Sequence, residues 1–403
     1  MALVCGTAFA QDGLRLSGFG TLGYVTDNRS DIAPARDIAQ RPDDNFSTGA
    51  SWKMDSRLGV QMEYSLSASA DLVGQLVVRD QVHRDLDSST ELAYVTVRPD
   101  AQWDIRAGRI NYDAFLMSDY RNVGYAYPWV RPPSEFYGWI PILSVDGLDA
   151  TYRFESETAR WRLKVQAGKS STVALPLGTG YEFQGKDMLG LSVTAQTDNW
   201  RFKLAHSQWT TANEVSPFAP LHAGLDALAS AGVPGVSAEA ADLRRDLSFE
   251  GAKVSYATLG AAYDDGKWLA QAEIGYTTAG AAAVPHGRMA YASVGRRFGD
   301  WTPLLTLSSS RPDDAPRTAV NDWGAYNNLL RGPALFVLNT SRIEQDTVSL
   351  GLRWDFHRQA ALKVQWDQTQ IKPTGYGLWW RDIAINQDSS RISLLALTMD
   401  FSF

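Results

Sequence analysis

Few residues of this chain have the spacing that catalysis or metal binding requires. The chain contains five histidines, His83, His206, His222, His286 and His357. They are too scattered to form a metal-ligand motif, and the single cysteine, Cys5, can form neither an internal disulfide nor a cysteine-based zinc site. His206 and Ser207 are the one pair suggestive of a hydrolase, but neighbouring residues of a strand point to opposite faces. The sequence therefore predicts no catalytic residues, no metal and no cofactor.

Charged residues at alternate positions of otherwise apolar segments are the strongest chemical signal. Residues 362–367, Leu-Lys-Val-Gln-Trp-Asp, alternate in this way. In a membrane such charges are tolerated only if their face is wet, where they would either steer ions or form salt bridges that stiffen the wall. Both interpretations are compatible. The candidate residues of the wet face are Arg57, Glu63, Arg106, Arg109, Arg121, Arg162, Lys164, Arg201, Lys203, Arg353, Asp355 and Asp367.

Alternation recurs along the chain after residue 12 and predicts β-strands. The predicted strands cover residues 13–26, 52–65, 69–79, 89–98, 102–110, 144–155, 160–170, 187–197, 199–210, 249–264, 267–278, 288–298, 300–310, 346–357, 359–370 and 390–403. Each is close to the roughly 10 residues that a tilted strand needs to cross a bilayer. Short turns alternate with long connections, which is the asymmetry of a membrane barrel. We predict an all-β fold, a closed antiparallel transmembrane β-barrel of about 16 strands.

Aromatic residues recur at one level of these strands. Five tryptophans open a strand directly after a short turn, namely Trp103, Trp161, Trp200, Trp268 and Trp301. The last strand is amphipathic and ends at Phe403. A ring of amphipathic side chains at one height is typical of a membrane interface. The tryptophans of a soluble core would not recur at the same position of successive strands.

Composition is compatible with this prediction and excludes other classes. The chain of 403 residues has a net charge of −7, which argues against a nucleic-acid partner. It has no run of about 18 apolar residues, which excludes a transmembrane helix. Ala8-Phe9-Ala10 fits a signal-peptidase site, so we interpret residues 1–10 as the remnant of a secretory signal and 11–403 as one barrel domain.

Two segments carry a family resemblance. Residues 14–24, LRLSGFGTLGY, and residues 56–61, SRLGVQ, are similar to the first two strands of the sixteen-stranded porins of Gram-negative bacteria. The likeness extends from about residue 12 to 403. It implies an integral outer-membrane protein in contact with lipid and lipopolysaccharide. It also implies passive diffusion of small polar solutes, a homotrimer, and a long third loop, Asn111 to Leu143, folded into the lumen.

The basic candidates suggest which solutes would pass. Arg106, Arg162, Lys164, Arg201 and Lys203 lie on the fifth, seventh and ninth predicted strands, so one side of the lumen should be basic. The acidic cluster that the family carries in its third loop is not evident here, because the acidic residues of this loop are spread out among arginines. We therefore expect a mild preference for anions.

Other features leave alternatives open. The third loop is rich in tyrosine, phenylalanine and tryptophan, which either stack on a solute or pin the loop to the wall. Residues 220–241 have helical spacing and predict a helix on an external loop. An outer-membrane enzyme, such as a phospholipase- or esterase-like barrel, and a plugged adhesion barrel are the competing functions. If the faces are assigned correctly, an arginine at Leu350 or Leu397 should destabilise the barrel, and one at Ser349 should not.

Overall fold

The computed structural model describes residues 9–11, 13–40, 49–83, 85–140, 142–174, 181–381 and 388–403. Most of the predicted signal remnant lies outside these residues. Within it, Phe9–Gln11 pair with Leu14–Leu16 as a short hairpin. The signal peptide stays a prediction.

Sixteen long strands form the barrel. They are β1 Leu14–Asp27, β2 Arg57–Ser67, β3 Ala70–Arg79, β4 Thr90–Val97, β5 Trp103–Asn111, β6 Ser144–Glu155, β7 Arg160–Ala174, β8 Tyr181–Gln196, β9 Trp200–Thr211, β10 Lys253–Asp264, β11 Trp268–Ala279, β12 Gly287–Arg296, β13 Trp301–Pro312, β14 Ile343–His357, β15 Ala360–Tyr376 and β16 Ser390–Ser402. Each pairs antiparallel with the next, and β16 returns to β1 from Phe19 opposite Ser402 to Asp27 opposite Leu394. The predicted closed sixteen-stranded barrel is confirmed.

Strand bounds differ from the prediction mainly on the side of the long loops. β7, β8 and β15 extend several residues further there, and β8 is irregular between Lys186 and Leu189. The alternation weakens in these extensions because they rise beyond the bilayer, where neither face needs to be apolar.

The two faces of the wall follow the alternation. Leu350 and Leu397 are 51% and 40% exposed on the outer face, whereas Ser349 and Thr398 are buried on the inner face. The outer apolar residues continue from strand to strand as a belt that would lie against lipid.

Aromatic side chains ring the lower edge of the belt, as predicted. The rings of Trp301 and Trp354 stack with centroids 5.0 Å apart, and those of Trp200 and Tyr263 lie 4.9 Å apart. Cross-strand aromatic pairs at this height stabilise the short-turn end at the interface.

The long connections carry the remaining structure. The α-helices are α1 Leu86–Ser89, α2 Ser134–Tyr137, α3 Ala219–Ser230, α4 Val236–Asp246 and α5 Gly332–Thr340. Short helical turns cover Gly124–Ala126, Ser216–Phe218 and Asn327–Arg331. Ile32–Pro34 pair with Trp379–Arg381, and Ala50–Ser51 pair with β1. None of the helices in the described part of the chain is long and apolar enough to cross a membrane.

A helical cap, α3, α4 and α5, covers part of the long-loop end. The predicted helix at residues 220–241 exists, but a glycine turn divides it into α3 and α4. Glu239 of α4 accepts hydrogen bonds from the Trp323 indole, at 2.8 Å, and from the backbone of Val320. These bonds join the cap's two loops above β9 to β14.

Candidate functional site

The connection between β5 and β6, residues 112–143, is called loop 3 and folds into the barrel. Its first turn is anchored by Asp113, whose carboxylate lies 2.5 Å from Lys203 Nζ of β9 and accepts a 2.6 Å hydrogen bond from Ser192 of β8. Lys164 of β7 lies 3.4 Å from the same carboxylate. The chain therefore leaves β5 and crosses the lumen at once.

The aromatic residues of loop 3 attach it to the far wall. The Trp129 indole donates to Ser293 of β12 at 3.0 Å and to Thr306 of β13 at 2.9 Å. Tyr137 donates to Glu273 of β11, which also accepts a 2.6 Å bond from Tyr291. Because these rings are buried and bonded to strands, they pin the loop and are not available as a stacking surface.

Buried charges fix the rest of loop 3. The Arg131 guanidinium lies 2.7 Å from Asp55 and 3.3 Å from Asp367 of β15. Lys363 of β15 donates to the Gly124 carbonyl at 2.7 Å and lies 3.0 Å from Asp400. Removing one partner of such a buried pair leaves an uncompensated charge, so these contacts hold the loop in one place.

Glu135 of α2 is a further anchor, and no ion pair joins it to another of the described residues. It accepts hydrogen bonds from Ser308 at 2.7 Å, from Gln345 at 2.6 Å and from Thr347. These three bonds hold the carboxylate against β13 and β14.

Loop 3 and the helical cap leave space on one side of the barrel. Loop 3 is bonded to strands on both sides of the lumen, among them β2, β3, β7, β9, β12, β13 and β15. The helical cap lies above β9 to β14. Along β3 to β8 a cavity of about 240 Å³, here called the vestibule, lies at the long-loop end. A smaller cavity of about 40 Å³ lies beside it, and Glu91, Arg121 and Leu143 line both. These three residues lie where the two cavities meet, and this junction is here called the constriction.

Arginines cluster at and beside the constriction. Arg79 of β3 lies 2.7 Å from Glu91 and donates to Asn122 at 2.7 Å. Arg121 lies over the rings of Phe115 and Tyr137 at 5.6 and 5.5 Å. Its Nη2 donates to a backbone carbonyl, and its Nη1 has no hydrogen-bond partner among the described residues.

The first long connection adds Arg36 and Asp37 to the same place. Arg36 is held by the carbonyls of Met54 and Asp80, both at 3.2 Å, and lies 3.0 Å from the Asp37 carboxylate. Burial alone would raise the pKa of Asp37, but Arg36, Arg79 and Arg121 outweigh it and lower the pKa to about 2. Asp37 therefore stays ionised at neutral pH and offsets part of the arginine charge.

The predicted basic residues of the fifth, seventh and ninth strands are close to acidic partners. Arg106 Nε lies 2.9 Å from Asp149, and Arg162 lies 3.4 Å from Asp119 of loop 3. Lys164 and Lys203 bind Asp113, and Arg201 lies beside the Tyr120 hydroxyl. Loop 3 and β6 supply acidic partners to most of these basic side chains, so a basic side of the lumen stays a prediction.

The other predicted residues fall into three places. Arg57 and Arg353 hold loop 3, through carbonyl bonds to Asn122 at 2.7 Å and to Tyr125 at 2.9 Å. Arg109 lies at the rim of β5, where it binds Asp146 at 2.8 Å and Asp87 at 3.0 Å. The last two predicted residues form ion pairs: Glu63 lies 3.0 Å from Arg15, and Asp355 lies 2.7 Å from Arg353. Their effect on ions stays a prediction.

Sequence reasoning missed Arg36 and Asp37. They lie in a connection without alternation, and nothing in their spacing indicates that this connection turns inward. The one sequence feature that could have indicated the inward turn is the apolar pair Ile32-Ala33, which is buried in the structure.

The one hydrolase-like pair does not form a catalytic site. Ser207 faces inward, is buried and bonds Tyr112, while His206 faces the outer surface. The described residues also contain no group of histidine, cysteine, aspartate and glutamate side chains that could hold a metal.

Comparison with solved structures identifies this architecture. No family model matches the sequence, and no curated protein does. OmpF of Salmonella typhi, in complex with daunomycin, superposes with a TM-score of 0.55 at 12% identity, over 98% of this chain and 100% of that one. The chain has the porin fold. An anion-selective porin from Comamonas acidovorans matches with a TM-score of 0.52 at 11% identity, over 97% of this chain and 99% of that one. The outer-membrane channel DcaP of Acinetobacter baumannii matches with a TM-score of 0.51 at 13% identity, over 99% of this chain and 100% of that one.

A porin barrel with a continuous apolar belt and an interfacial aromatic ring is an integral protein of the bacterial outer membrane. Identities this low show the fold alone, so the function has to be argued from the lumen of this porin barrel.

Proposed function

We propose that the protein is a porin through which small hydrophilic solutes diffuse passively, with a mild preference for anions. The observation that carries the proposal is the constriction, where Arg36, Arg79 and Arg121 meet two carboxylates, Asp37 and Glu91. Sixteen strands are enough to enclose an aqueous channel even after a loop is inserted.

In a narrow channel these charges act on every ion that passes. The Debye length at physiological salt is about 8 Å, which is comparable to the radius of such a channel, so the charges act across its full width. In the cluster of Arg36, Arg79, Arg121, Asp37 and Glu91 the arginines outnumber the carboxylates, which raises the anion concentration beside them although the whole chain is acidic.

Conductance in planar bilayers tests the proposal. We expect the purified protein to insert in discrete ohmic steps. Leu143→Trp should lower the conductance step because Leu143 lines the constriction. The matched control is Leu148→Trp, which should leave the step unchanged because Leu148 is 58% exposed on the outer face. Insertion without any conductance would contradict the porin and favour the second candidate, a plugged adhesion barrel, for which the burial of loop 3 inside the barrel is the supporting observation.

We further propose that the protein has no hydrolytic activity. Ser207 bonds a tyrosine and lies on the face opposite His206, so the pair lacks the base that a serine nucleophile needs. Turnover of a phospholipid or an ester by the purified protein, abolished in Ser207→Ala, would contradict this.

A homotrimer in contact with lipopolysaccharide is also part of the proposal. It rests on the resemblance to porins and on the connection 80–89, where a capping box between Asp85 and Ser88 fixes α1 and leaves Leu86 71% exposed. Electrophoresis in mild detergent should show a species of trimer size that converts to monomer on heating. Migration as a monomer before heating would count against the trimer.

A further inference from the structure

The vestibule has two chemically different sides. We propose that it favours small anions that carry several hydroxyl groups, of the sugar-acid or sugar-phosphate class, over hydroxyl-free anions of equal charge and carbon number. This inference rests on the proposed function, because it presumes that solutes pass through the vestibule.

The cationic side consists of Arg36, Arg79 and Arg121. Each guanidinium is already held by at least one protein oxygen or carboxylate, so little side-chain entropy is lost when a solute binds. Guanidinium groups present planar forks that match both carboxylate and phosphate. Arg121 lines both cavities, and its buried Nη1 has no hydrogen-bond partner among the described residues, so this guanidinium retains a donor for such an anion.

The other side, on β6 and β7, is hydroxylic. Ser144, Ser170, Ser171 and Thr172 line it. Ser170 Oγ donates to the Ser144 carbonyl at 2.9 Å, and Ser171 Oγ donates to Glu182 at 2.6 Å. Because each of these two hydroxyl protons is engaged inside the protein, the oxygens present lone pairs, and the complementary solute group is a hydroxyl donor.

Size and charge restrict the solute further. A cavity of about 240 Å³ suits one small solute and not a chain of sugars. Glu182, which accepts a hydrogen bond from Ser171 on the hydroxylic side, would repel a second negative charge. The preferred solute therefore has its anionic group at one end and hydroxyl groups along the rest.

Permeability ratios from bi-ionic reversal potentials test this directly. The carboxylate arm compares glycerate with propionate, and the phosphate arm compares glycerol 3-phosphate with propyl phosphate. Within each pair the carbon number is the same, and only the hydroxyl groups differ. We expect the hydroxylated anion to permeate better than its partner, by about 2-fold or more, although it is the larger of the two. A preference in one arm alone identifies whether carboxylate or phosphate is the anionic group.

The double variant Ser170→Ala/Ser171→Ala should bring the permeability ratio of the two anions in each pair towards 1. The control Ser309→Ala, on the outer face of β13, should leave this ratio at the wild-type value. Thr172→Val provides a second variant in case the double variant fails to fold. A wild-type ratio at or below 1 in both arms, or a ratio that the vestibule variants do not change, would overturn the inference. Failure of the porin itself would appear differently, as a membrane without any current.

Discussion

At the scale of single residues, the charges of the lumen divide into those that build it and those that face the solute. The basic residues picked out by their alternation, such as Lys164 and Lys203, mainly hold loop 3, because Asp113 lies between them. The alternation reveals which face is wet, and it does not reveal where a loop places its carboxylates. The expected anion preference therefore rests on Arg36, Arg79 and Arg121, of which only Arg121 was among our sequence candidates for the site.

Asp37 gives a prediction about acid stability. Its pKa is lowered to about 2 in the folded protein, so its contribution is present above the usual aspartate value near 3.8 and is lost as the pH falls towards 2. We expect Asp37→Asn to lower the free energy of unfolding at pH 7 by on the order of 2 kcal/mol, and the difference to disappear near pH 2. Urea unfolding between pH 7 and pH 2 measures this, with Asp198→Asn in a short turn as control. A difference that persists at pH 2 would show that the side chain acts by shape and not by charge.

At the scale of elements, three glycines in register shape the wall beside the vestibule. Gly108 of β5, Gly147 of β6 and Gly168 of β7 are paired across neighbouring strands. A Cβ added to Gly147 would lie 2.1 Å from the Ala167 carbonyl oxygen, which is backbone and cannot swing away. The strands approach closely here because side chains are absent.

Gly147→Ala should therefore destabilise the barrel by about 1–3 kcal/mol, the usual range for overpacking. Gly74→Ala, where a Cβ would meet nothing within 4 Å, is the matched control and should change little. Urea unfolding in detergent compares the two. Equal effects would show that the close approach does not constrain the sheet.

The assignment of faces gives a second prediction for the strands. Leu350→Arg should cost about 2–4 kcal/mol because its side chain faces lipid near the middle of the belt. The structure revises the sequence-based control: Ser349 is buried and lines a cavity of only about 30 Å³ behind loop 3, so an arginine would not fit. Gln61→Arg replaces it, since Gln61 faces the open part of the lumen beside Glu63. Comparable losses at positions 350 and 61 in the same unfolding assay would contradict the assigned faces.

At the scale of the whole molecule, the sequence predicts the closed barrel, because strand period and aromatic level are local features, and the inserted loop follows from the resemblance to porins. The sequence does not predict where loop 3 is attached inside the lumen. That depends on partners distant in sequence, such as Arg131 with Asp55 and Trp129 with Ser293 and Thr306. The helical cap is also a product of long-range contacts, as between Glu239 and Trp323.

The reversal potential of the unmodified protein in a potassium chloride gradient is the most direct test of a passage with an arginine-rich constriction. We expect the sign of mild anion selectivity, weaker as salt rises because screening increases. Arg121→Gln should reduce the selectivity by removing a constriction charge, and Arg106→Gln and Arg162→Gln should reduce it by freeing Asp149 and Asp119. Arg245→Gln, on the exposed face of α4, should leave it unchanged. A reversal potential of cation sign in the unmodified protein would contradict the account.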